Sequence, residues 1–423
     1  MNLPSTLVAS TLLLSSVFVQ ADWMQWRGPN FNGTANDATP PTSWSATENV
    51  AWKIEIPGRG SSTPVIAGDN LFVTTAIATD SAAEASETPT SPFQFVVLCI
   101  DRKTGDVRWK KTTAELVPHS GHHQDHGYAS ASPITDGKHV WVHFGSRGTF
   151  CLTVDGEIVW SRTDLGKMET RGGFGDGSSP VLHGNRLVVP WDHEGDSYIT
   201  ALDAKTGKSL WKTPRIEGSS WTTPLVVEHN GQGIVVQSGP GFARAYQLAD
   251  GKELWSAAGQ TGRPVATPVA ADGMVYVGSG FRGAFLGAYK LEGASGDITD
   301  TDSVAWSIDK ATPDVPSLLL SQGRLYFHSA RSGIVTCLDA KTGEPHYSRE
   351  RLEALRDVYA SPVAAGGYVF LTGRDGTTVV IKDGPKLEIV STNHLGEPVD
   401  ATPVPDGSEL FIRAAKHLYC IRK

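Results

Sequence analysis

The sequence has 423 residues, 19% of them charged, and a formal net charge of −8. Its 45 Gly, 25 Pro and 12 Trp fit a folded, turn-rich, all-β protein and exclude a disordered one. No run of basic residues occurs, so nucleic acid is excluded as an expected partner.

The chain opens on an apolar run, Leu7 to Val19, followed by Val19-Gln20-Ala21. A short apolar run before a small-x-Ala site is a secretory signal pattern, although Met1 to Thr6 lack Lys and Arg. Residues 1–21 are therefore expected to be a signal peptide. The run is short for a membrane span, and no other segment is long and apolar enough to cross. No cysteine follows the run, so no lipid anchor is expected. Residues 22–48 form a Gly/Pro/Asn-rich lead-in, expected to pack through Trp23, Trp26 and Trp44. Next comes a strand-like stretch, "NVAWKIEIP" (49–57), without an adjacent partner in sequence.

From there the chain is repetitive. "CIDRKTGDVRW" (99–109), "ALDAKTGKSLW" (201–211) and "CLDAKTGEPHY" (337–347) share an apolar pair, Asp, a Thr-Gly turn and a later aromatic. Shorter versions are "TVDGEIVW" (153–160) and "QLADGKELW" (247–255). Each reads as strand, tight turn, strand: Asp and Thr can accept turn N–H groups, and Gly supplies the left-handed position. A second element precedes each copy: a small polar residue, Pro, a Gly-containing turn and an alternating apolar strand. Its anchors are Pro64, Pro133, Pro180, Pro224, Pro268, Pro362 and Pro403, with Leu318 in the sixth copy. Eight four-stranded repeats of about 40–50 residues predict a single eight-bladed β-propeller over 49–423. The eighth copy ends after three strands at "KHLYCIRK", and "NVAWKIEIP" supplies the fourth. That closure leaves no open edge.

Trp109, Trp160, Trp211, Trp255 and Trp306 recur near the start of fourth strands and are expected to wedge between blades. Cys99, Cys151, Cys337 and Cys420 each sit in an apolar strand, so burial is expected; export would permit disulfides, and no pairing is assignable. "GDITDTDS" (296–303) lacks the Gly and distal Glu of a calcium loop and reads as a solvated turn.

The Asp-x-x-Thr-Gly-x-x-x-Trp element resembles the tryptophan-docking motif of pyrroloquinoline-quinone-type propellers, and the resemblance covers essentially the whole chain after residue 21. Together with "WMQWRGPNFNGTA", "SSTPV" and the blade count, the chain resembles exported quinone-like propeller repeat proteins. These are distantly related to the propeller lipoprotein of the outer-membrane barrel assembly machinery and to quinoprotein dehydrogenases. One such fold serves many functions.

Alternation of strand direction places inter-blade connections and second-to-third-strand turns on one face, here called the top. That face gathers Arg147, Trp221, Arg282, Arg331, Asp357, Tyr359, Arg374 and Asp400 as candidates for an aromatic, polar funnel taking a small anionic or sugar-like ligand. The loop "PHSGHHQDHG" also lies there. His119, His122, His123 and His126 are the candidate ligands for a transition metal. No Gly-x-Ser-x-Gly, Walker loop or His-Glu-x-x-His occurs. The expected function is a non-catalytic, monomeric, soluble propeller in the periplasm or at the cell surface, binding a ligand or an envelope protein partner. The resemblance also implies an alternative, a quinoprotein dehydrogenase using pyrroloquinoline quinone and calcium. Against it, the cysteines are scattered and the family's calcium set cannot be placed.

Overall fold

Each repeat closes as one antiparallel sheet, and eight such sheets form the propeller. The structure is a computed structural model that describes residues 22–80 and 89–423; the expected signal peptide lies outside the described residues. Blade three shows the pattern. Its strands, Val181–His183, Arg186–Trp191, Tyr198–Asp203 and Ser209–Pro214, pair in sequence order. The second and third strands are almost wholly buried, because neighbouring blades cover both faces of the sheet. The fourth is mostly exposed, with Trp211 its one buried residue. Blade eight consists of Val404–Asp406, Glu409–Arg413 and His417–Ile421, completed by Val50–Glu55, with Trp52 opposite Cys420.

The turn motif has a physical cause that appears only between blades. The Asp of each long copy accepts N–H bonds from its own turn, as Asp339 Oδ1 does from Lys341 and Thr342 at 2.9 and 2.8 Å. The preceding blade's tryptophan then lies on the turn glycine. Trp306 Nε1 donates to Ala340 O at 3.1 Å, and a Cβ on Gly343 would sit 2.7 Å from the Trp306 ring. Trp52, Trp109, Trp160 and Trp211 dock on the next blade in the same way. Gly343 also has φ of +74°, so its substitution meets both strain and collision. Gly343→Ala is expected to cost about 2–3 kcal/mol. Gly323→Ala, at φ +73° with open space around it, should cost only about 1 kcal/mol. Equal denaturation midpoints for the two variants would contradict the docking argument.

Blade five has no Thr-Gly turn to receive Trp255. Instead the insertion after its third strand folds over that tryptophan: Gly296–Asp297 pairs in parallel with Trp255 and Ser256, and Ile298 is buried against the same cluster. The acidic stretch is mostly exposed, as expected of a solvated turn, but its start also covers the outer edge of blade four. Its apolar Ile298 and the Ala258 N–H bond to Thr299 Oγ1 (3.0 Å) hold it there. The four cysteines are buried and free.

The lead-in crosses the bottom of the ring. Trp23 O accepts from Ile66 N, Met24 O from Thr135 N, Asn32 O from Leu320 N and Gly33 O from Ala364 N. These acceptors touch the inner strands of blades one, two, six and seven. Thr34–Ala35 adds a short parallel strand to blade seven. Arg27, 1% exposed, donates to Leu318 O (2.7 Å) and Pro362 O (3.1 Å). Burial without a carboxylate pulls its pKa down to about 9. Trp44 stacks on Phe370 at 6.3 Å.

Two core histidines give stability a pH dependence. His143 and His328 are 2% and 0% exposed, and burial pulls each pKa down to about 4. The unfolded chain binds their protons near pH 6.5. Their contribution to stability is therefore complete above pH 6.5 and is lost as pH falls from 6.5 towards 4, by up to roughly 3 kcal/mol each. Melting temperature should drop across that window. His143→Gln with His328→Leu should flatten the drop; an unchanged slope in the double variant would contradict it.

Candidate functional site

The site begins with the residue before each anchor proline. Thr63 N donates to Ser132 Oγ (3.0 Å), Ser132 N to Ser179 Oγ (2.9 Å), and Ser179 N to Thr223 Oγ1 (3.0 Å). The chain continues through Thr267, Ser317 and Ser361 to Thr402. The small polar residue of the repeat is therefore an inter-blade link: its hydroxyl oxygen accepts from the backbone of the previous blade. Leu318 can replace proline because Ser317 keeps this bond. The result is a collar of hydroxyls around the axis. Trp26 rises from the lead-in to meet it, with Nε1 3.4 Å from Thr402 Oγ1.

Above this floor lies a cavity of about 220 Å³. Its wall includes Trp221, Phe174, Tyr359, Arg263, Arg331, Asp125, Asp314 and Asp400, with His123 and His126 from the histidine loop. Blades six, seven and eight contribute a charged network. Arg374 donates to Asp400 Oδ1 (2.7 Å) and Asp357 Oδ2 (3.1 Å), and lies 3.4 Å from Asp125 Oδ1. Its guanidinium stands over the Tyr359 ring at 4.1 Å. Tyr359 donates to Asp125 Oδ2 (2.7 Å) and accepts from Arg331 (2.9 Å). Burial opposes ionisation of Asp125, yet Tyr359 and Arg374 hold its carboxyl below the ordinary range. Burial pushes the Tyr359 hydroxyl up to about 12.

Of the residues singled out in sequence, Trp221, Arg331, Tyr359 and Asp400 line the cavity, and Arg374 and Asp357 brace them. Arg147 is elsewhere. It is 2% exposed, paired with Asp176 and packed over Tyr128 at 4.7 Å, so it holds blade two to the next loop. Arg282 is exposed beside Phe281. Its repeat position matches Arg147 and Arg374, but turn position alone does not decide where a long side chain points.

The histidines divide similarly. His119 Nε2 donates to Met168 O (2.9 Å), and His122 Nδ1 to the neighbouring His123 O (2.9 Å). His126 Nδ1 donates to Gly127 O (3.1 Å), and burial pulls its pKa down to about 4. The His123 and His126 rings are stacked 6.2 Å apart. His123 Nδ1 accepts from Asp125 N (3.2 Å) and its ring meets Phe174 edge-on at 4.9 Å. Among the described residues no three His, Cys, Asp or Glu side chains are grouped to hold a metal ion.

Sequence reasoning passed over Asp125, Phe174, Arg263 and Asp314. Asp125 was hidden among histidines, and Phe174, Arg263 and Asp314 lie in inter-blade loops that strand alternation places on the top face without singling them out. Phe174 and Asp314 carry no motif. Their convergence depends on loops from different blades reaching one axis.

A family profile described as "Outer membrane protein assembly factor BamB" matches residues 94–214 and 195–423. Outer membrane protein assembly factor BamB of Alkalilimnicola ehrlichii is 26% identical over 247 residues, 56% of this chain and 49% of that protein. Polyvinylalcohol dehydrogenase of a Pseudomonas species is 24% identical over 274 residues, 60% of this chain and 35% of that protein. The chain thus spans half or less of the length of these curated relatives. The crystal structure of BamB from Moraxella catarrhalis has a TM-score of 0.60 at 14% identity, covering 88% of this chain and 97% of that one. At that identity the likeness is one of fold.

Proposed function

This chain belongs to the family described as outer membrane protein assembly factor BamB, and from that premise we propose that it is an exported, non-catalytic propeller that scaffolds protein partners in the bacterial envelope. The observation that carries this reading is the family match over residues 94–423, from the third strand of blade one onward, joined to a closed ring. The expected small-molecule role belongs to the same proposal, with the top-face cavity as the site it would use. No described helix is long and apolar enough to cross a membrane.

The residues present do not fit quinone with calcium. Cys99, Cys151, Cys337 and Cys420 are buried in the blades and none lines the cavity. Asp125 and Asp400, two of the carboxylates that face it, are engaged by Arg374 rather than open to a cation. The test has two arms. Affinity capture from a bacterial envelope extract, using the full chain, should recover components of outer-membrane protein assembly. Mixing the protein with calcium and pyrroloquinoline quinone should give no dye reduction with alcohols. Turnover, or capture that recovers no assembly component, would overturn the proposal.

A further inference from the structure

Two charged groups in the cavity wall have no hydrogen-bond partner among the described residues, and only one of them has an ion pair, a long one. Arg263 makes no ion pair or hydrogen bond with any described residue. Its guanidinium is held between aromatic rings, 3.5 Å from the Phe281 centroid and 5.5 Å from that of Phe174. Cation–π contact fixes its position while leaving its donor edge free. Asp314 is 8% exposed and accepts no hydrogen bond from any described residue; the nearest cation is Arg331 Nε at 3.9 Å. Burial raises its pKa against the pull of Arg331 and Arg263. Elsewhere in the wall the charges are engaged: Asp125, Asp400 and Arg331 all take part in the network around Tyr359. Asp314 opens onto the cavity, so a group that binds there and displaces its water must supply a donor to this carboxylate.

Arg263 and Asp314 line the same cavity, yet they do not bond to each other. A simple anion would satisfy Arg263 and leave Asp314 facing negative charge. A simple cation would do the reverse. Phe174 and Trp221, with ring centroids 6.4 Å apart and planes tilted by 43°, give the adjoining wall an aromatic, apolar corner. We propose that this cavity binds a small aromatic acid whose carboxylate is taken by Arg263, whose neighbouring ammonium or hydroxyl donates to Asp314, and whose ring packs on Phe174 and Trp221. The inference rests on the top face being the ligand face of the propeller.

The test is calorimetric titration of the full chain with three probes: L-phenylalanine, L-3-phenyllactate and 3-phenylpropionate. They share ring and carboxylate, and differ in carrying an ammonium, a hydroxyl or neither. Saturable binding is expected for at least one of the first two, with 3-phenylpropionate about tenfold or more weaker. The better of the first two probes identifies the donor. Arg263→Gln should weaken binding about tenfold or more, and Arg263→Lys, which keeps the charge but loses the fork, should fall between. Asp314→Asn should remove the preference over 3-phenylpropionate. Unchanged melting curves would show that these variants are folded. No saturable binding by any probe, equal binding by all three, or binding insensitive to Arg263→Gln and Arg263→Lys would each overturn the inference. Such a failure with envelope capture intact removes the ligand and leaves the scaffold; loss of capture with binding intact does the opposite.

Discussion

Arg215→Ala is expected to destabilise the protein by about 3–5 kcal/mol, measured as a fall in denaturant midpoint. Arg215 is fully buried between blades three and four. It donates to Asp192 Oδ1 and Oδ2 at 2.7 and 3.2 Å and to the Tyr246 hydroxyl at 2.6 Å, and lies 3.5 Å from Glu217. Asp192 and Glu217 are equally buried, each 1% exposed at the side chain. Burial pushes the Asp192 carboxyl above its ordinary range even with Arg215 beside it. Removing the arginine strands that charge, and the larger loss comes from the unpaired carboxylate rather than from a missing attraction. Glu217 keeps Arg244 as a second partner. Combining Arg215→Met with Asp192→Leu should therefore cost less than Arg215→Ala alone, because no unpaired Asp192 remains. An Arg215→Ala variant within 1 kcal/mol of the native protein would contradict this account.

Trp52→Ala should have a comparable effect, about 3–5 kcal/mol, for a different reason. Trp52 belongs to Val50–Glu55, the strand that closes blade eight. Its indole packs on Phe411 at 5.9 Å and on Gly105, and Nε1 donates to Arg102 O at 3.0 Å. One side chain thus joins the closing strand to blade eight and blade eight to blade one. Trp52→Phe retains the apolar contact and loses the hydrogen bond, so its cost should be nearer 1 kcal/mol. Hydrogen exchange should locate the damage: amides of Val50–Glu55 should lose protection more than those of blade four in Trp52→Ala. Uniform loss across all blades would show that the closing strand has no separate stability.

The propeller was legible because its determinants are local and repeated. The Asp-Thr-Gly turn, the alternating strands and the small-polar-plus-proline start recur often enough to count blades and to identify the missing eighth fourth strand. The role of the small polar residue was not legible. Ser132, for example, accepts from Thr63 across an inter-blade gap, and a contact of 69 residues' separation leaves no local trace. The acidic insertion within blade five is largely the exposed turn expected, and the docking of its Ile298 escaped notice for the same reason. Its composition is that of a solvated turn, whereas the vacancy beside Trp255 gives it a surface to cover.

The candidate site divides along the same line. Sequence periodicity determined which loops share the top face, and so placed Trp221, Arg331, Tyr359 and Asp400 near one axis. It could not separate Arg147, buried against Asp176, from Arg374, braced beside the cavity. Nor could it determine that Arg263 stays unmatched while Arg374 meets three carboxylates. Strand alternation and turn chemistry act over a few residues, so the sequence by itself determined the blades, their order and their closure. Side-chain pairing near the axis depends on loops from different blades converging within hydrogen-bond reach. Only the closed ring brings them there, and the tertiary structure therefore decided which charges are paired, which histidines serve their own loop, and which groups remain open to a ligand.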